Sequence, residues 1–324
     1  TIIGGCCGTT PEHVNAMRTA LDKTSAVEIN GNGGEISLQE EDVLSAAKPT
    51  KMAQKLTSGK FLIAVEMDPP RGLSTHKLLA GASLLADAGA DVIDVADSPM
   101  ARMRMSPWAV CSLIQRKAKI ETVLHFPTRG RNLLRVQGDL LAAHALDVRN
   151  IFVIMGDPTA IGDYPDAMDN FDLAPSGLVK LIKQGFNTGI DHAGADIGQP
   201  TSFFAGCALN LTAPDLKREV KVMRRKLRGG ADFVLTQPIY SLEPLIRFKS
   251  FYEERHGTFP IPILAGVLPL ASDRHAAFLH QRLRSPSDKP VELDIGKRHE
   301  MTFRGTVVLC LCLGTLAGCA GKPE

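Results

Sequence analysis

The sequence predicts an α/β protein, a (β/α)8 TIM barrel whose eighth β/α unit is missing or replaced. Seven short apolar, β-rich runs alternate with longer amphipathic stretches, and the polar ends of the runs recur at about the 30-residue spacing of one β/α unit. No G-x-G-x-x-G or G-x-x-x-x-G-K-[ST] motif follows a run, which disfavours the alternative, a doubly wound sheet. The predicted strands are 61–66, 91–97, 121–126, 151–157, 202–209, 232–237 and 262–268.

Helix signals fill the intervals between these runs. Apolar residues recur at helical spacing before Gly89, a candidate C-cap. Ser106-Pro107 predicts an N-cap followed by proline in the first turn, and Ala213-Pro214-Asp215 begins another helix in the same way. One interval is longer than the others, and we assign the excess to a glycine-rich insertion at 187–200.

Composition excludes several classes of function. The chain has 324 residues, enough to bury a large core, and 37 Lys and Arg against 35 Asp and Glu give a net charge of +2. Without a basic run, nothing predicts a nucleic-acid partner. The seven cysteines form no repeated spacing, which disfavours a secreted disulfide framework and favours the cytoplasm. Small-molecule substrates, no membrane and a possible homo-oligomer are the expectation.

The predicted barrel spans residues 59–282, and a glycine-rich, charged linker spans 25–58. Residues 283–324 do not continue the alternation of apolar runs and amphipathic stretches that is typical of the barrel. From Met301 they resemble a bacterial lipoprotein signal peptide, with an apolar run before Leu316-Ala317-Gly318-Cys319, although a signal peptide cannot act from this position. The run is too short to span a bilayer. The alternative is a strand-like segment that packs on the core.

Polar residues at the strand ends are the candidate site, because these ends converge on the active face of a parallel barrel. Glu66 follows an apolar run, where desolvation favours its neutral form and suits it to general acid catalysis. The alternative is a carboxylate that caps the Pro69-Pro70 turn or pairs with Arg71. Gln237 ends another buried run, where a ligand would satisfy its carboxamide.

The remaining candidates also have structural alternatives. Asp157 could be the turn carboxylate that Asp-Pro sequences often supply, and His125 could be a core histidine. The basic residues of helix 216–228 could form a solvated face. If the start of that helix lies near the barrel mouth, Arg225 and Lys226 could instead bind phosphate groups.

Four motifs together resemble the methylenetetrahydrofolate reductase family over residues 59–280. They are Val65-Glu66-Met67-Asp68-Pro69-Pro70-Arg71, Met155-Gly156-Asp157-Pro158, the block from Arg225-Lys226-Leu227-Arg228-Gly229-Gly230-Ala231-Asp232 to Leu235-Thr236-Gln237-Pro238, and Ala265-Gly266-Val267-Leu268-Pro269-Leu270. Residues 1–24, with Gly4-Gly5-Cys6-Cys7-Gly8, resemble the end of the homocysteine S-methyltransferase barrel. This order is similar to the C-terminal half of the bacterial bifunctional methyltransferase/reductase.

The resemblance implies FAD, reduced by NADH or NADPH, and reduction of 5,10-methylenetetrahydrofolate to 5-methyltetrahydrofolate for methionine synthesis. It implies that Glu66 is the general acid, that Asp157 lies by the pterin and the flavin, and that Gln237 binds folate. By the same resemblance, the residues that contact FAD are Asp97, His125, Asp157, Glu219, Arg225 and Lys226.

The resemblance is incomplete at both ends. Residues 283–324 do not resemble the family's eighth β/α unit, which closes the barrel, and without such a unit an open barrel would expose strand edges. Cys6 and Cys7 resemble two of the three thiolates that bind zinc in the intact methyltransferase, and with the third missing we expect no tight metal site. Methyl transfer is therefore not expected of this chain. The alternative function is a truncated, non-catalytic fragment.

Overall fold

The computed structural model describes residues 10–22, 48–268 and 307–312, which belong to two units, residues 1–45 and 46–324. In the first unit, helix α1 (Pro11–Asp22) follows Thr10, whose backbone N–H donates to Nδ1 of His13 at 3.0 Å. Cys6 and Cys7 lie outside the described residues.

Strands and helices alternate through the second unit. In chain order they are α2 Lys51–Thr57, β1 Ile63–Met67, α3 His76–Asp87, β2 Val92–Val95, α4 Pro107–Ala118, β3 Glu121–Pro127, α5 Leu133–Ala145, β4 Asn150–Ile154, α6 Pro175–Gln184, β5 Phe204–Leu209, α7 Leu216–Gly229, β6 Phe233–Pro238, α8 Glu243–His256, β7 Ile263–Val267 and β8 Val307–Cys312. Each strand pairs in parallel with the next, and β8 also pairs with β1, so the sheet closes into a barrel.

All seven strands predicted from the sequence are confirmed, with ends that shift by up to three residues. The predicted helix starts are confirmed too. Helix α4 begins at Pro107 after Ser106, and α7 begins after Asp215, whose carboxylate accepts the backbone N–H of Arg218 at 3.1 Å. The glycine-rich insertion lies between α6 and β5 and contains an antiparallel bridge between Ile190 and Asp196.

The eighth strand comes from the segment whose sequence departs from the family. Residues Val307–Cys312 pair with β7 and β1, so that Leu309 is in register with both Ala265 and Ile63. Of the two predicted possibilities, a missing or a replaced eighth unit, the structure has a replaced one, and the strand-like segment closes the barrel. The physical reason is that an apolar run rich in valine and leucine can satisfy the exposed backbone groups of both edge strands.

Side chains alternate between the inside of the barrel and its helix-covered outside. One alternate set packs into an apolar inner cluster, which we call the inner layer. The other set, including Ile93, Val95 and Leu124, packs against the surrounding helices. The strand residues of the inner layer are Ala64, Val92, Val123, Phe152, Phe233, Leu235 and Leu264. The inner layer is therefore a packed floor beneath the carboxyl ends of the strands.

Helix α2 covers the opposite end of the barrel. Its Met52 and Leu56 are buried in the same cluster as the inner layer. The backbone N–H groups of Lys51 and Met52 donate to the carboxylate of Glu121 at 2.7 and 3.1 Å, which satisfies the first turn of the helix. Thr50 Oγ1 donates to Asn150 Oδ1 at 2.7 Å. The end of the segment predicted as a linker thus packs as part of the barrel.

Gly206 is a sensitive position in this packing. It lies in register with Phe233, whose ring stacks on Phe204 at a centroid distance of 5.3 Å, and a Cβ atom at residue 206 would overlap that ring. We expect Gly206→Ala to lower the free energy of unfolding by roughly 1–3 kcal/mol, as overpacking does. Urea unfolding measures this loss.

The matched control is Gly138→Ala in α5, where a Cβ atom would meet nothing within 4 Å. Alanine is the better helix former, so this variant should equal or exceed the wild-type stability by up to about 1 kcal/mol. Equal stability of Gly206→Ala and Gly138→Ala would contradict the close packing of β5 against β6.

Candidate functional site

Strand alternation brings two of the predicted residues to the inside of the barrel: Glu66 shares the inward side of β1 with Ala64, and His125 that of β3 with Val123. Gln237 follows Leu235 near the carboxyl end of β6, where the register of β6 against β7 shifts. Each lies two residues beyond an inner-layer residue, toward the carboxyl end of its strand. Together with Asp94 they form a polar layer above the apolar floor, which we call the mouth layer: Glu66, Asp94, His125 and Gln237.

Asp94 was not among the site residues predicted from the sequence. It lies two residues after the inner-layer residue Val92, and the strand register pairs it with Glu66. Asp94 is 1% exposed, whereas Glu66 is half-buried. Asp97 was predicted in its place because it ends the apolar run. Alternation within β2 was the signal that could have identified Asp94, since Val92 and Asp94 share one side of the strand.

The imidazole ring of His125 is buried on the inner side of β3. It is 6% exposed and packs edge-on against Phe152, with ring centroids 5.0 Å apart. Within the described part of the chain, its buried Nε2 has no hydrogen-bond partner. Burial lowers the pKa of His125 from 6.5 to about 4, so the ring is neutral at pH 7. A buried polar atom without a partner, on the inside of a barrel, suits a ligand that supplies the missing hydrogen bond.

Gln237 presents an exposed carboxamide at the end of β6. Its Oε1 accepts the hydroxyl of Thr212 at 3.2 Å, and that hydroxyl also contacts Asn210 Oδ1 at 2.9 Å. Backbone of residues 236 and 237 approaches Gly266 so closely that a Cβ atom there would lie 2.8 Å from the Thr236 carbonyl oxygen. The loop after β5 and the glycine on β7 therefore fix this end of β6.

Asp97 and Asp157 lie beside the mouth layer, in a separate cavity of about 630 Å³ near the ends of β2, β3 and β4. Asp157 is exposed, and its Oδ2 accepts the backbone N–H of Met100 at 2.7 Å. That bond joins the loop after β2 to the loop after β4. Five arginines also line the cavity: Arg102, Arg104, Arg129, Arg131 and Arg135.

Arg131 organises one wall of this cavity. Its guanidinium donates to Asp97 at 2.8 Å and to Asp139 at 3.2 Å, and it lies 5.0 Å from the centre of the Trp108 ring. Trp108 Nε1 in turn donates to the Asp139 carbonyl oxygen at 2.9 Å. Asp97 is therefore held in an ion pair with Arg131, which fixes its position at the end of β2.

Arg225 and Lys226, which were predicted to bind phosphate together, lie on different sides of helix α7. Lys226 is buried and donates from Nζ to the Ala208 carbonyl oxygen at 2.6 Å, and buried Glu219 accepts the backbone N–H of Asn210 at 3.1 Å. Both tie α7 to the end of β5. Arg225 is exposed, because neighbouring residues of a helix point about 100° apart, and it lies near Lys221 on the solvent side.

The two cysteines whose side chains the structure describes, Cys111 and Cys207, are not suited to nucleophilic or metal chemistry. Burial raises the pKa of Cys111 and Cys207 to about 12, so both thiols stay protonated at neutral pH. Among the residues that the structure describes, no three His, Cys, Asp or Glu side chains group so as to hold a metal ion. No helix in the described ranges is long and apolar enough to cross a membrane.

The neutral state of His125 has a measurable pH signature. Because its pKa is lowered in the folded protein, the unfolded chain takes up the proton first as the pH falls, so the stability contributed by the neutral ring is lost from pH 6.5 toward 4. Between pH 7 and 5 we expect His125→Gln to lose about 2 kcal/mol less unfolding free energy than the wild type.

Urea unfolding at the two pH values measures this difference. His76→Gln, the same change at an exposed histidine, is the control and should keep the wild-type pH dependence. If His125→Gln and His76→Gln showed the same pH dependence, the buried neutral state of His125 would be wrong.

The chain is similar in sequence to known methylenetetrahydrofolate reductases. A relative from Schizosaccharomyces pombe, methylenetetrahydrofolate reductase 1, is 26% identical over 161 residues, which cover 50% of this chain and 25% of that protein. Methylenetetrahydrofolate reductase (NADH) 1 of Zea mays is 23% identical over 207 residues, which cover 60% of this chain and 33% of that protein. The chain thus spans between a quarter and a third of the length of these relatives.

A solved structure from Clostridium thermocellum, described as binding two copies of 5-methyl-5,6,7,8-tetrahydrofolic acid, has a TM-score of 0.49 and 13% identity, with 73% of this chain and 76% of that chain covered. The family model of homocysteine S-methyltransferase matches residues 1–21. The family model of methylenetetrahydrofolate reductase matches residues 51–285, more than two thirds of the chain. The chain therefore belongs to the methylenetetrahydrofolate reductase family.

Proposed function

We propose that this barrel reduces 5,10-methylenetetrahydrofolate to 5-methyltetrahydrofolate, with FAD as cofactor and NADH or NADPH as reductant. The observation that carries the proposal is the mouth layer. In a chain of this family, it combines a half-buried carboxyl group above an apolar floor with an exposed carboxamide at the carboxyl end of β6. The carboxyl group of Glu66 can supply a proton, and the carboxamide of Gln237 can form hydrogen bonds with a ring that has donor and acceptor edges.

The residues around the mouth fit FAD. The buried Nε2 of His125 without a partner is suited to a ligand hydrogen bond, and the cavity of about 630 Å³ lies within the range of roughly 300–1,000 Å³ usual for cofactor sites. Asp97, His125 and Asp157 would hold the cofactor from the ends of β2, β3 and β4. Lys226 and Glu219 would act through the end of β5, and Arg225 from the exposed side of α7.

Bound FAD would supply the hydride chemistry, accepting a hydride from the nicotinamide and delivering it to the folate carbon. The protein itself would supply the proton that the reaction needs. Protonated Glu66 would donate to the folate nitrogen that leaves as the methylene bridge opens. The O–H bond of Glu66 and the C–N bond of the bridge break, an N–H bond forms, and the remaining carbon becomes an iminium ready for reduction.

Asp157 and Gln237 would orient the substrate. Asp157, tied by one oxygen to the backbone of Met100, would place negative charge near the positive charge of the iminium. Gln237, oriented by the hydroxyl of Thr212, would present its carboxamide to the pterin. Neither contribution requires the side chain to change its protonation state.

The wider setting follows from the same proposal. The product would supply methyl groups for methionine synthesis in the cytoplasm, and assembly with further copies of the chain is compatible with it. The order of the two family matches, methyltransferase before reductase, supports a relation to the bacterial bifunctional protein. Methyl transfer is not proposed for this chain, because that match covers residues 1–21 alone.

Loss of the Glu66 proton should affect the reduction of folate but not the reduction of the flavin. In Glu66→Gln, we expect the rate of flavin reduction by NADH or NADPH to stay near wild type, because that step needs no proton from Glu66. The rate of folate reduction should fall by roughly 10²–10⁴-fold, the usual contribution of a general acid. Anaerobic stopped-flow absorbance of the flavin measures both rates. Glu254→Gln, at the exposed end of α8, is the control. Equal losses in both half-reactions would refute the acid role.

Gln237 should affect folate more than flavin. Removal of its carboxamide in Gln237→Ala should weaken folate binding by roughly 3- to 10-fold, the value of about one hydrogen bond, and leave the affinity for FAD unchanged. Fluorescence titrations with each ligand measure the two affinities. Gln54→Ala, an exposed glutamine on α2 at the opposite end of the barrel, should bind both ligands as wild type does. A flavin-free Gln237→Ala protein would count against this placement.

A further inference from the structure

The cavity beside the mouth layer is rich in arginine. It has a volume of about 630 Å³ and lies near the ends of β2, β3 and β4. We call it the arginine cavity, after the residues Arg102, Arg104, Arg129, Arg131 and Arg135 that line it. Guanidinium groups suit the phosphate groups of a ligand, because each can donate two parallel hydrogen bonds to phosphate oxygens.

Several of the charges in this cavity neutralise each other within its walls. Arg131 donates to Asp97 at 2.8 Å and to Asp139 at 3.2 Å, and Arg129 donates to Asp169 at 2.9 Å. Three of the four aspartates that line the cavity are therefore paired. These pairs fix the walls and reduce the repulsion that an incoming anion would meet.

Arg102 and Arg104 keep hydrogen-bond donors free for a ligand. In the part of the chain that the structure describes, the buried Nε of each has no hydrogen-bond partner. Their ion pairs are long, 3.8 Å from Arg102 to Asp163 and 3.4 Å from Arg104 to Asp68. A buried donor without an acceptor is costly, so both groups favour a ligand that supplies phosphate oxygens.

Large apolar side chains at the same cavity favour a ligand that also carries a ring. Met103, Tyr164 and Met168 line the cavity and are 56%, 61% and 74% exposed. Exposed apolar side chains grouped beside a polar cavity are typical of a binding surface. The tyrosine ring can stack on a planar heterocycle, and methionine sulfur packs well against aromatic rings. A ring joined to phosphate groups is a nucleotide.

Hydrogen bonds between the surrounding loops hold the cavity in shape. Asp157 on the loop after β4 accepts the backbone N–H of Met100 on the loop after β2 at 2.7 Å. Gly130, after β3, donates its N–H to the carbonyl oxygen of Asn170, after β4, at 3.0 Å. A ligand that binds between loops already joined in this way orders little additional chain, which favours affinity.

We propose that the arginine cavity binds the adenosine diphosphate half of NADH or NADPH, while the nicotinamide half reaches the flavin. The inference rests on the proposed function. FAD carries the same adenosine diphosphate group, but the residues proposed to serve its phosphates, Arg225 and Lys226, lie on α7, whereas the cavity lies at β2 to β4. Asp157 lines the cavity and is also proposed to lie by the flavin, so the two sites adjoin there.

The first test is the binding of ADP to protein saturated with FAD. Trp108 is the only tryptophan in the sequence and lines the cavity, so its fluorescence should change along the same binding curve that calorimetry gives. Arg102→Met should weaken ADP by roughly tenfold or more, the value of a hydrogen bond to a charged group. Arg102 is 38% exposed, so the variant should fold. Arg116→Met, at an exposed arginine of α4 outside the lining, is the control.

The apolar side of the cavity has its own pair of variants. Tyr164→Ala should weaken ADP by at least roughly fivefold, because the adenine loses its stacking partner. Tyr164→Phe keeps the ring and should bind ADP as the wild type does. Equal binding by the alanine and phenylalanine variants would contradict the placement of the base.

Competition identifies which molecule brings the adenosine diphosphate group. When the flavin has been reduced beforehand with dithionite, NADH and NADPH bind without reacting, and calorimetry measures their affinities. ADP should displace the nucleotide that binds and leave FAD bound. Arg102→Met should weaken that nucleotide by roughly tenfold or more and change the affinity for FAD by less than about twofold.

The outcomes separate this inference from the proposed function. ADP that binds only before FAD is added would assign the cavity to FAD, and ADP that binds without displacing NADH or NADPH would assign it to a free nucleotide. Either result, or no binding of ADP at all, would overturn the inference. Displacement in a protein that does not reduce methylenetetrahydrofolate would support the nucleotide site and overturn the proposed function.

Discussion

The alternation of side chains in a closed parallel barrel is the constraint on which the rest of this structure depends. Because successive residues face opposite sides, each strand has only a few inward positions, and the inner layer fills the lower ones with apolar groups. Helix α2 covers the far end with Met52 and Leu56. Glu66, Asp94, His125 and Gln237 therefore lie toward the carboxyl ends of their strands, above an apolar floor.

The loops outside the barrel are held by a different kind of interaction. Ion pairs and backbone hydrogen bonds tie the loops after β2, β3 and β4 to one another, with Arg131 between Asp97 and Asp139 and with Asp157 bound to Met100. At Gly162 the backbone of Ala101 comes so close that a side chain at this position would clash. The mouth thus combines an apolar interior with a polar rim that positions the carboxylates next to the cavity.

The sequence predicted the strands well because each one is a buried apolar run that ends in a polar residue. Glu66, His125 and Gln237 could be found in the same way. Asp94 was missed because it lies within a run, where only strand alternation distinguishes an inward position from an outward one. Helix α2 is a single short segment whose burial depends on barrel contacts that no local pattern shows. The opposite exposure of Arg225 and Lys226 likewise follows from how α7 packs on β5.

The central claim is that this barrel binds a flavin that a nicotinamide nucleotide can reduce. The most direct measurement is the absorbance spectrum of the purified protein with added FAD, followed under anaerobic conditions by NADH or NADPH. The account predicts a protein-bound flavin whose visible absorbance bleaches with at least one of the two nucleotides and returns when methylenetetrahydrofolate is added. A folded protein that takes up no FAD would contradict it.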